Sequence, residues 1–421
     1  MIAVVCRMRT ICPMLVLVAS MVGCSKGPIS DDGGFFFPPP SEPKEPSEPE
    51  PEPTVLEAMV EGSSGSFRVL LTLPPSDNSH PLAVVIPGLG PSTAEWALTT
   101  GRDLHGHAAL NYLGVGTLSF DLPGSAAVEP VGYGDDQGGP FVADPVAHGT
   151  TTRSLVLERA RAAFAWASEQ PGVVASGHYV VTHDFGGVEA VTIADEIGAE
   201  AVLWFSPIVQ GADGYLHDEL HYRDWLRRQA ADLDEDMAVT PEEWGYFKGS
   251  TGADEGVAFG DLDLNADGLY TREDNELSGA ETSPVMQSFL DDGNDVGWRL
   301  FWGPRSALFP STAWAADALA RSNVTELLGD GSAPIFVFPS ASSDTPVEYL
   351  DALSTASGAE RIRFVEWSPG DPGVASSHPL LPVWGVPSDY AEWCLRGLVT
   401  DPLHPESVDH LNEKNPSPCS G

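Results

Sequence analysis

Basic residues are scarce in this sequence. Lysine and arginine together number 21 against 61 aspartates and glutamates, so the 421 residues carry a formal net charge of −40. This excess of negative charge argues against nucleic acid and anionic membrane surfaces as partners, because both would repel the chain. The same charge suits a protein that meets divalent cations outside the cell. Hydrophobic residues make up 42% of the chain, which is enough for an ordinary folded core.

Cysteine is rare as well, with five in the whole chain. Three of them lie in the first 24 residues, and the other two are Cys394 and Cys419. In an exported protein this second pair is free to form a disulfide. We expect that disulfide to hold the C-terminal tail and to have no catalytic part.

A long hydrophobic run is also missing from the N-terminus. Arg7 and Arg9 precede a short apolar run at 13–19, which predicts an export signal too brief to span a membrane. Small residues directly before Cys24 resemble the lipoprotein box of bacteria. This resemblance implies a lipid anchor on Cys24 at the outer membrane or cell surface. An ordinary cleaved signal is the alternative, and translation starts at either Met1 or Met8.

Residues 179–183 form an apolar, β-branched run that ends at two glycines, and helical spacing follows from 188 onward. Strand, sharp turn and helix in this order form a nucleophile elbow, which lifts one side chain, here Asp184, above the sheet. The stretch resembles the His-Asp-aromatic-Gly elbow of α/β-hydrolases with an aspartate nucleophile, the epoxide hydrolases and haloalkane dehalogenases. Thr182 replaces the usual glycine, so we expect a looser approach of strand and helix. The alternative is that Asp184 caps a helix starting at Gly186.

The resemblance extends to the other catalytic positions. It implies Asp344, after the strand at 334–339, as the acid and His378, after the strand at 361–367, as the base that activates water. It also implies that the backbone N–H groups of Phe185 and Leu89 form the oxyanion hole, although Pro87 stands where histidine is usual. By itself, His378 is better interpreted as a histidine of a surface loop, and only its order after Asp184 and Asp344 favours the catalytic role. No Gly-x-Ser-x-Gly sequence offers a competing serine.

Apolar strands alternate with helical patterns on both sides of the elbow, which predicts a mostly parallel sheet covered by helices. Together with the elbow, this predicts an α/β-hydrolase fold with a helical cap insertion. We expect the following division: 1–24 signal and lipobox, 25–54 disordered Pro/Glu-rich tether, 55–207 first part of the core, 208–330 cap, 331–400 second part of the core, and 401–421 tail.

Two acidic loops in the cap resemble an EF-hand pair. Their twelve positions run from 232 to 243 and from 263 to 274. Position eight is apolar or aromatic in both, so we expect Val239 and Tyr270 to pair across a short sheet. Calcium prefers six to eight oxygens, which alternating carboxylates on a tight loop supply. Met237 replaces the turn glycine of the first loop, which predicts backbone strain there. Asp274 replaces the usual glutamate of the second loop and is also expected to close a capping box with Thr271. The expected ligands are Asp232, Asp234, Asp236, Ala238 and Glu243 in the first loop, and Asp263, Asn265, Asp267, Leu269 and Asp274 in the second. Solvated acidic turns are the alternative.

The combined expectation is an exported, lipid-anchored hydrolase of a small organic molecule, with an Asp-His-Asp triad and calcium-binding loops in its cap. The alternative is a calcium-binding surface lipoprotein on a hydrolase scaffold that has lost catalysis. Fold alone does not separate these two, because one fold carries many functions.

Overall fold

The computed structural model describes residues 53–96, 110–111, 113–128, 139–205, 207–209, 211–222, 225, 228–234, 236–251, 256–321, 328, 331–338, 353–356 and 358–364. Ten strands occur in these ranges, and eight of them form one sheet. The strands are β1 Thr54–Gly62, β2 Gly65–Leu73, β3 Leu82–Ile86, β4 Gly116–Phe120, β5 Ser125–Val128, β6 Gly139–Val142, β7 Tyr179–His183, β8 Ala201–Phe205, β9 Ile335–Phe338 and β10 Ile362–Phe364.

The large sheet has the strand order β1-β2-β4-β3-β7-β8-β9-β10, and β5 and β6 form a separate hairpin. Neighbouring strands pair in parallel from β4 to β10 in this sheet order. Strand β2 is antiparallel to both β1 and β4. A mostly parallel sheet with this crossover order and an antiparallel second strand is the α/β-hydrolase fold. The predicted fold class is confirmed at this level.

Helices fill the connections between the strands. They are α1 Pro145–His148, α2 Arg153–Ser168, α3 Gly187–Ile197, α4 Gly211–His221, α5 Pro241–Thr251, α6 Arg272–Asp292, α7 Asp295–Trp302 and α8 Thr312–Leu319. Short 3₁₀ turns lie at Ala94–Trp96, Asp184–Gly186, Gln229–Ala231, Phe259–Asp261, Gly303–Ala307 and Ala359–Arg361. None of the helices in the described ranges is long and apolar enough to cross a bilayer.

The main core lies between the sheet and helices α2 and α3. Every residue of β3, β7 and β8 is buried, so both faces of the central strands are covered. Small side chains on the inner faces of the helices let them lie close to the strands. Those in the core are Ala160, Ala163 and Ala167 of α2, and Ala190 and Ala194 of α3.

The insertion between β8 and β9 contains α4 to α8 and has two further cores. One joins α4, α6, α7 and α8 to Phe185 and contains Tyr215, Trp298, Trp302, Phe309 and Trp314. The other lies under the acidic loops and contains Trp225, Ala231, Val239, Trp244, Leu262 and Tyr270. We call the first the cap core and the second the loop core.

Two strand regions were not predicted from the sequence. Strand β1 starts at Thr54, the last residue of the predicted tether, and was missed because the adjacent apolar pairs Val55–Leu56 and Met59–Val60 hide its alternation. Leu56 and Val60 turn toward the main core, while Val55 and Met59 are exposed. Strand β2, which pairs with β1, is buried from Val69 to Leu73. The β5–β6 hairpin was also not predicted.

His178, just before β7, makes folding stability sensitive to pH. Its side chain is buried, Nδ1 accepts the Leu82 N–H at 3.1 Å, and burial lowers its pKa. The unfolded chain therefore takes up a proton first, and stability falls as pH drops below about 6.5. In urea unfolding at pH 7 and pH 5.5, we expect His178→Asn to lose less stability than the wild type. Asparagine keeps an acceptor for Leu82 but does not titrate.

The exposed histidine His217 offers the control for this measurement, because its ring has no buried backbone partner to lose. The ring of His217 stacks on that of His221, whose pKa is lowered by burial and then by His217, so His217→Asn should change the dependence on pH only slightly. Equal losses of stability in the wild type and in His178→Asn would show that His178 does not carry the effect.

Candidate functional site

Asp184 has a strained backbone. It follows the last residue of β7 and has φ of 47°, a left-handed conformation that side chains other than glycine rarely adopt. The 3₁₀ turn Asp184–Gly186 then leads directly into α3, so the predicted strand, turn and helix are all present. The carboxylate side chain is 22% exposed. Strain of this kind persists where surrounding contacts hold it, and it concentrates at functional sites.

Two glycines allow the strand and helix to meet closely behind Asp184. A Cβ on Gly186 would collide with Oγ1 of Thr182, and one on Gly187 would collide with the indole ring of Trp204. The Thr182 hydroxyl donates to the Ile86 carbonyl at 3.0 Å. The expected loosening by Thr182 is therefore not seen, because its side chain fills the space left by Gly186.

The carboxylate of Asp184 binds its neighbour and does not cap the helix. The 3₁₀ turn and α3 both begin without a side-chain cap. Oδ2 of Asp184 instead lies 2.9 Å from Nδ1 of His183. The Gly88 N–H donates to Nε2 of the same ring at 3.3 Å, so the ring proton sits on Nδ1 and is donated to Asp184. The capping alternative is wrong, and His183 sets the rotation of the carboxylate.

The two turns expected to form an oxyanion hole are joined by a buried arginine. Arg153, the first residue of α2, donates from Nη1 to the Gly88 carbonyl at 3.3 Å and from Nη2 to the Phe185 carbonyl at 3.0 Å. Its charge is paired with the buried carboxylate of Glu189, which Nε reaches at 3.1 Å. Leu89 and Phe185 thus lie in turns that one guanidinium connects. Sequence reasoning missed Arg153 because nothing near it in the chain marks these partners.

The carbonyl of Asp184 is held from the other side. Nε1 of Trp204 donates to it at 2.8 Å, and the Ile208 N–H donates to it at 3.2 Å. Trp204 lies on β8, next to β7 in the sheet. The sequence shows Trp204 only as part of a buried strand, so this contact was also missed.

Asp344 and His378, the predicted acid and base, lie outside the described residues. The same is true of Cys24, Cys394 and Cys419. The convergence of the triad, the lipid anchor and the disulfide therefore stay predictions.

Aromatic side chains of the cap lie against the elbow. The Phe185 ring is 5.9 Å from that of Tyr215 on α4 and 6.0 Å from that of Trp314 on α8, measured between centroids. The other cap tyrosines lie elsewhere, since Tyr222 and Tyr270 belong to the loop core and Tyr246 is exposed. The structure thus distinguishes Tyr215, which the sequence did not.

The second acidic loop folds around its own carboxylates. The two oxygens of Asp263 accept the N–H groups of Asp267 and Gly268 at 3.1 and 3.0 Å, and Asp267 accepts the N–H of Leu269 at 2.9 Å. Asp274 reaches back to accept the N–H groups of residues 264 and 265 at 2.8 and 3.2 Å. It also completes the predicted capping box with Thr271 at the start of α6.

The first loop repeats this pattern at the same positions. Asp232 accepts the N–H groups of residues 236 and 237 at 3.2 and 2.9 Å, and Asp236 accepts the N–H of Ala238 at 2.9 Å. Glu243 accepts the N–H of Leu233 at 3.0 Å, and its hydrogen bonds from Thr240 lower its pKa, which keeps it anionic. Met237 has φ of 71°, so it takes the strained turn position predicted for it.

The eighth residues of the two loops pair with each other. Val239 and Tyr270 form an antiparallel bridge and exchange two backbone hydrogen bonds of 2.9 Å. This pairing was predicted from the sequence. In the first loop, Asp232, Asp234 and Asp236 each have a carboxylate oxygen within 4.8 Å of the others. These three carboxylate oxygens are hard donors of the kind that calcium takes, and they are fewer than the six to eight oxygens that it prefers.

Comparisons with known proteins give limited information. No family model matches the chain, and no curated protein matches it. Among solved structures, it is similar to the 2,6-dihydroxy-pseudo-oxynicotine hydrolase, at 14% identity and a TM-score of 0.38, covering 76% of this chain. The chain spans 62% of the length of that hydrolase.

Two further solved structures are similar to this chain. One is a putative hydrolase from Agrobacterium vitis S4, at 14% identity and a TM-score of 0.41, covering 83% of this chain and 99% of that one. The other is Est1E from Butyrivibrio proteoclasticus, at 14% identity and a TM-score of 0.36, covering 73% and 87%. Likenesses this distant carry no functional argument, and the fold rests on the strand order.

The buried pair of Arg153 and Glu189 predicts a large effect on stability. In Arg153→Met the Glu189 charge stays buried without its main partner, so the free energy of unfolding should fall by about 3–5 kcal/mol. Urea denaturation measures the loss. Arg161→Met is the matched control on the same helix, because its pair with Glu196 is half-exposed and should cost at most about 1 kcal/mol. Similar losses in both variants would contradict the prediction.

Proposed function

We propose that this protein is an exported hydrolase that uses Asp184 as a nucleophile on a small organic substrate. The observation that supports this best is the strained φ of 47° at Asp184, on a turn that presents a partly exposed carboxylate above the sheet. A capping aspartate needs no such strain, and this one makes no capping bond. The chain is anchored by lipid on Cys24, and nucleic acid is not a partner.

The reaction has two steps. An oxygen of Asp184 attacks an electrophilic carbon of the substrate, forming an ester as the bond from that carbon to its leaving group breaks. His378, oriented by Asp344, then takes a proton from water, and the resulting hydroxide attacks the carbonyl carbon of the ester. The N–H groups of Phe185 and Leu89 stabilise the oxyanion. Cleavage of the ester releases an alcohol and regenerates the carboxylate, and the proton held by His378 then passes to solvent.

The aromatic cap indicates the kind of substrate. The side chains of Phe185, Tyr215 and Trp314 form an apolar surface beside the elbow. Such a surface suits an uncharged substrate. The Phe185 ring has no N–H to hold a departing halide, so the position after the nucleophile favours an epoxide over a haloalkane. Tyr215, whose ring lies beside that of Phe185, is then the cap tyrosine that gives a proton to the opening ring.

We propose further that the cap binds two calcium ions. The ligands are the side chains of Asp232, Asp234, Asp236 and Glu243 with the carbonyl of Ala238, and those of Asp263, Asn265, Asp267 and Asp274 with the carbonyl of Leu269. The repeated hydrogen-bond pattern of the two loops supports this. Bound calcium supplies positive charge that relieves the repulsion between these carboxylates. The shorter Asp274 predicts weak, extracellular-type affinity.

Helix α6 gives the calcium loops a route to the active site. It begins at the cap formed by Thr271 and Asp274, and its 21 residues extend about 31 Å. Met286, Phe289 and Leu290 near its other end pack against the cap core, which also contains Phe185. Ordering of the second loop thus orders the helix that covers the elbow.

The covalent ester is the test of the enzymatic proposal. His378→Gln should still form the ester but hydrolyse it slowly, so incubation with epoxides, haloalkanes and activated esters should leave an adduct on Asp184. Intact-mass and peptide mass spectrometry measure it. Asp184→Asn is the control and should show no adduct.

Absence of any adduct and of any turnover across these panels would contradict the enzymatic proposal. If calcium still binds, that result would establish the rival function, a calcium-binding lipoprotein on an inactive hydrolase scaffold. Pro87 and Thr182, which both depart from the family pattern, are the residues that favour this rival.

Calcium binding is tested by calorimetry. The wild type should bind two ions, and Asp232→Ala combined with Asp263→Ala should lose the heat of binding, because each change removes the first ligand of a loop. The control is Glu242→Ala combined with Glu273→Ala, which changes the charge equally at position eleven of each loop. Identical titrations for the ligand and control variants would show that these loops are solvated acidic turns.

A further inference from the structure

We infer that Trp204 and Arg153 are positioning residues that aim the two oxyanion-hole donors by holding the opposite ends of their peptide groups. This inference rests on the proposed function and deepens it. Neither side chain contacts the reacting atoms through its own polar group. Each acts through a backbone carbonyl in the turn that carries a donor.

The first donor peptide joins Asp184 to Phe185. The Asp184 carbonyl and the Phe185 N–H belong to one planar trans peptide, so they point in opposite directions. The carbonyl is held by Nε1 of Trp204 at 2.8 Å and by the Ile208 N–H at 3.2 Å. Because the Asp184 carbonyl is fixed toward β8, the Phe185 N–H at the other end of the peptide points away from β8.

The second donor peptide joins Gly88 to Leu89 and follows the same logic. Nη1 of Arg153 holds the Gly88 carbonyl at 3.3 Å, which directs the Leu89 N–H to the far side of that peptide. Nη2 of the same guanidinium binds the Phe185 carbonyl at 3.0 Å. One rigid, planar group therefore sets the separation of the two turns.

These bonds also strengthen the donors. A hydrogen bond to a carbonyl polarises its peptide and makes the N–H at the other end a better donor, and the effect grows where water is excluded. Trp204 is 1% exposed and Arg153 is 2% exposed. The bond from Arg153 also carries its positive charge.

Weaker oxyanion-hole donors should slow one of the two steps of the reaction. The oxyanion forms when water attacks the ester, whereas attack by Asp184 on the substrate removes negative charge from the carboxylate, so weaker donors do not slow that first step. Loss of the Trp204 N–H should therefore slow hydrolysis of the ester and leave its formation nearly unchanged. A general loss of structure would not separate the two steps in this way.

Trp204→Phe is the test variant, because it removes the indole N–H and keeps an aromatic ring on β8. Trp298→Phe is the matched control. Its Nε1 donates to the Phe309 carbonyl at 2.9 Å and it is fully buried, but its acceptor is not on a donor peptide.

Single-turnover kinetics with mass detection measures both steps. In Trp204→Phe we expect ester hydrolysis to slow by about tenfold or more, with adduct accumulating. In Trp298→Phe both rates should stay near those of the wild type.

A spectroscopic measurement tests the donor peptide without substrate. Asp followed by Phe occurs once in the chain, so labelling Asp with carbonyl ¹³C and Phe with ¹⁵N gives a single correlation for the peptide in question. Trp204→Phe should shift the Phe185 amide proton upfield as its peptide loses polarisation. Trp298→Phe should leave it in place. Arg153→Lys keeps the positive charge but has no planar guanidinium to hold both carbonyls, so it should also slow hydrolysis of the ester.

The outcomes are distinct. Slower ester hydrolysis together with a shifted Phe185 amide supports the inference. An unmoved amide, or a moved amide with unchanged ester hydrolysis, overturns it while the adduct in His378→Gln still supports the proposed function. Failure of His378→Gln and of the wild type to react with any panel overturns both.

Discussion

The site depends on the backbone conformation of Asp184, which costs about 1–3 kcal/mol to maintain. Contacts on every side keep it in place. Trp204 and the Ile208 N–H bind its carbonyl, and His183 binds its carboxylate. Thr182 and the two glycines after Phe185 bring α3 close enough for the turn to close. A strained residue held this firmly needs little rearrangement to react, which is what a preorganised nucleophile requires.

The buried pair of Arg153 and Glu189 has a second purpose besides stability. Two charges removed from water are expensive, and apolar residues of the same size often stabilise a core as well. Arg153 also makes contacts that no apolar residue can replace, since it holds carbonyls of both turns beside the elbow. In a chain with a net charge of −40, this cation is placed where two backbone turns must keep a fixed separation.

The cap divides into two cores with one helix between them. The loop core surrounds the bridge between Val239 and Tyr270, and the cap core surrounds Phe185. Helix α6 contributes its N-terminal capping box to the first and apolar residues to the second. Packing at both ends of one helix couples the two cores, although Pro284, which lies between the two ends, removes one backbone hydrogen bond of the helix.

Features contained within a dozen neighbouring residues could be predicted from the sequence. The strand, turn and helix around Asp184, the capping box of Thr271 and Asp274, and the strained Met237 all follow from local patterns. The pairing of Val239 with Tyr270 followed from the repeat of one loop in the other. The parallel sheet followed from alternating strand and helix patterns.

Tertiary structure alone decided which distant residues meet at the elbow. Arg153 lies 65 positions from Gly88 and 36 from Glu189, and Trp204 lies 20 from Asp184. Strand β1 and the place of Tyr215 beside Phe185 were likewise hidden. The physical reason is that these contacts are created by sheet order and helix packing. A side chain's local sequence records its burial but not the identity of the partner that the fold brings to it.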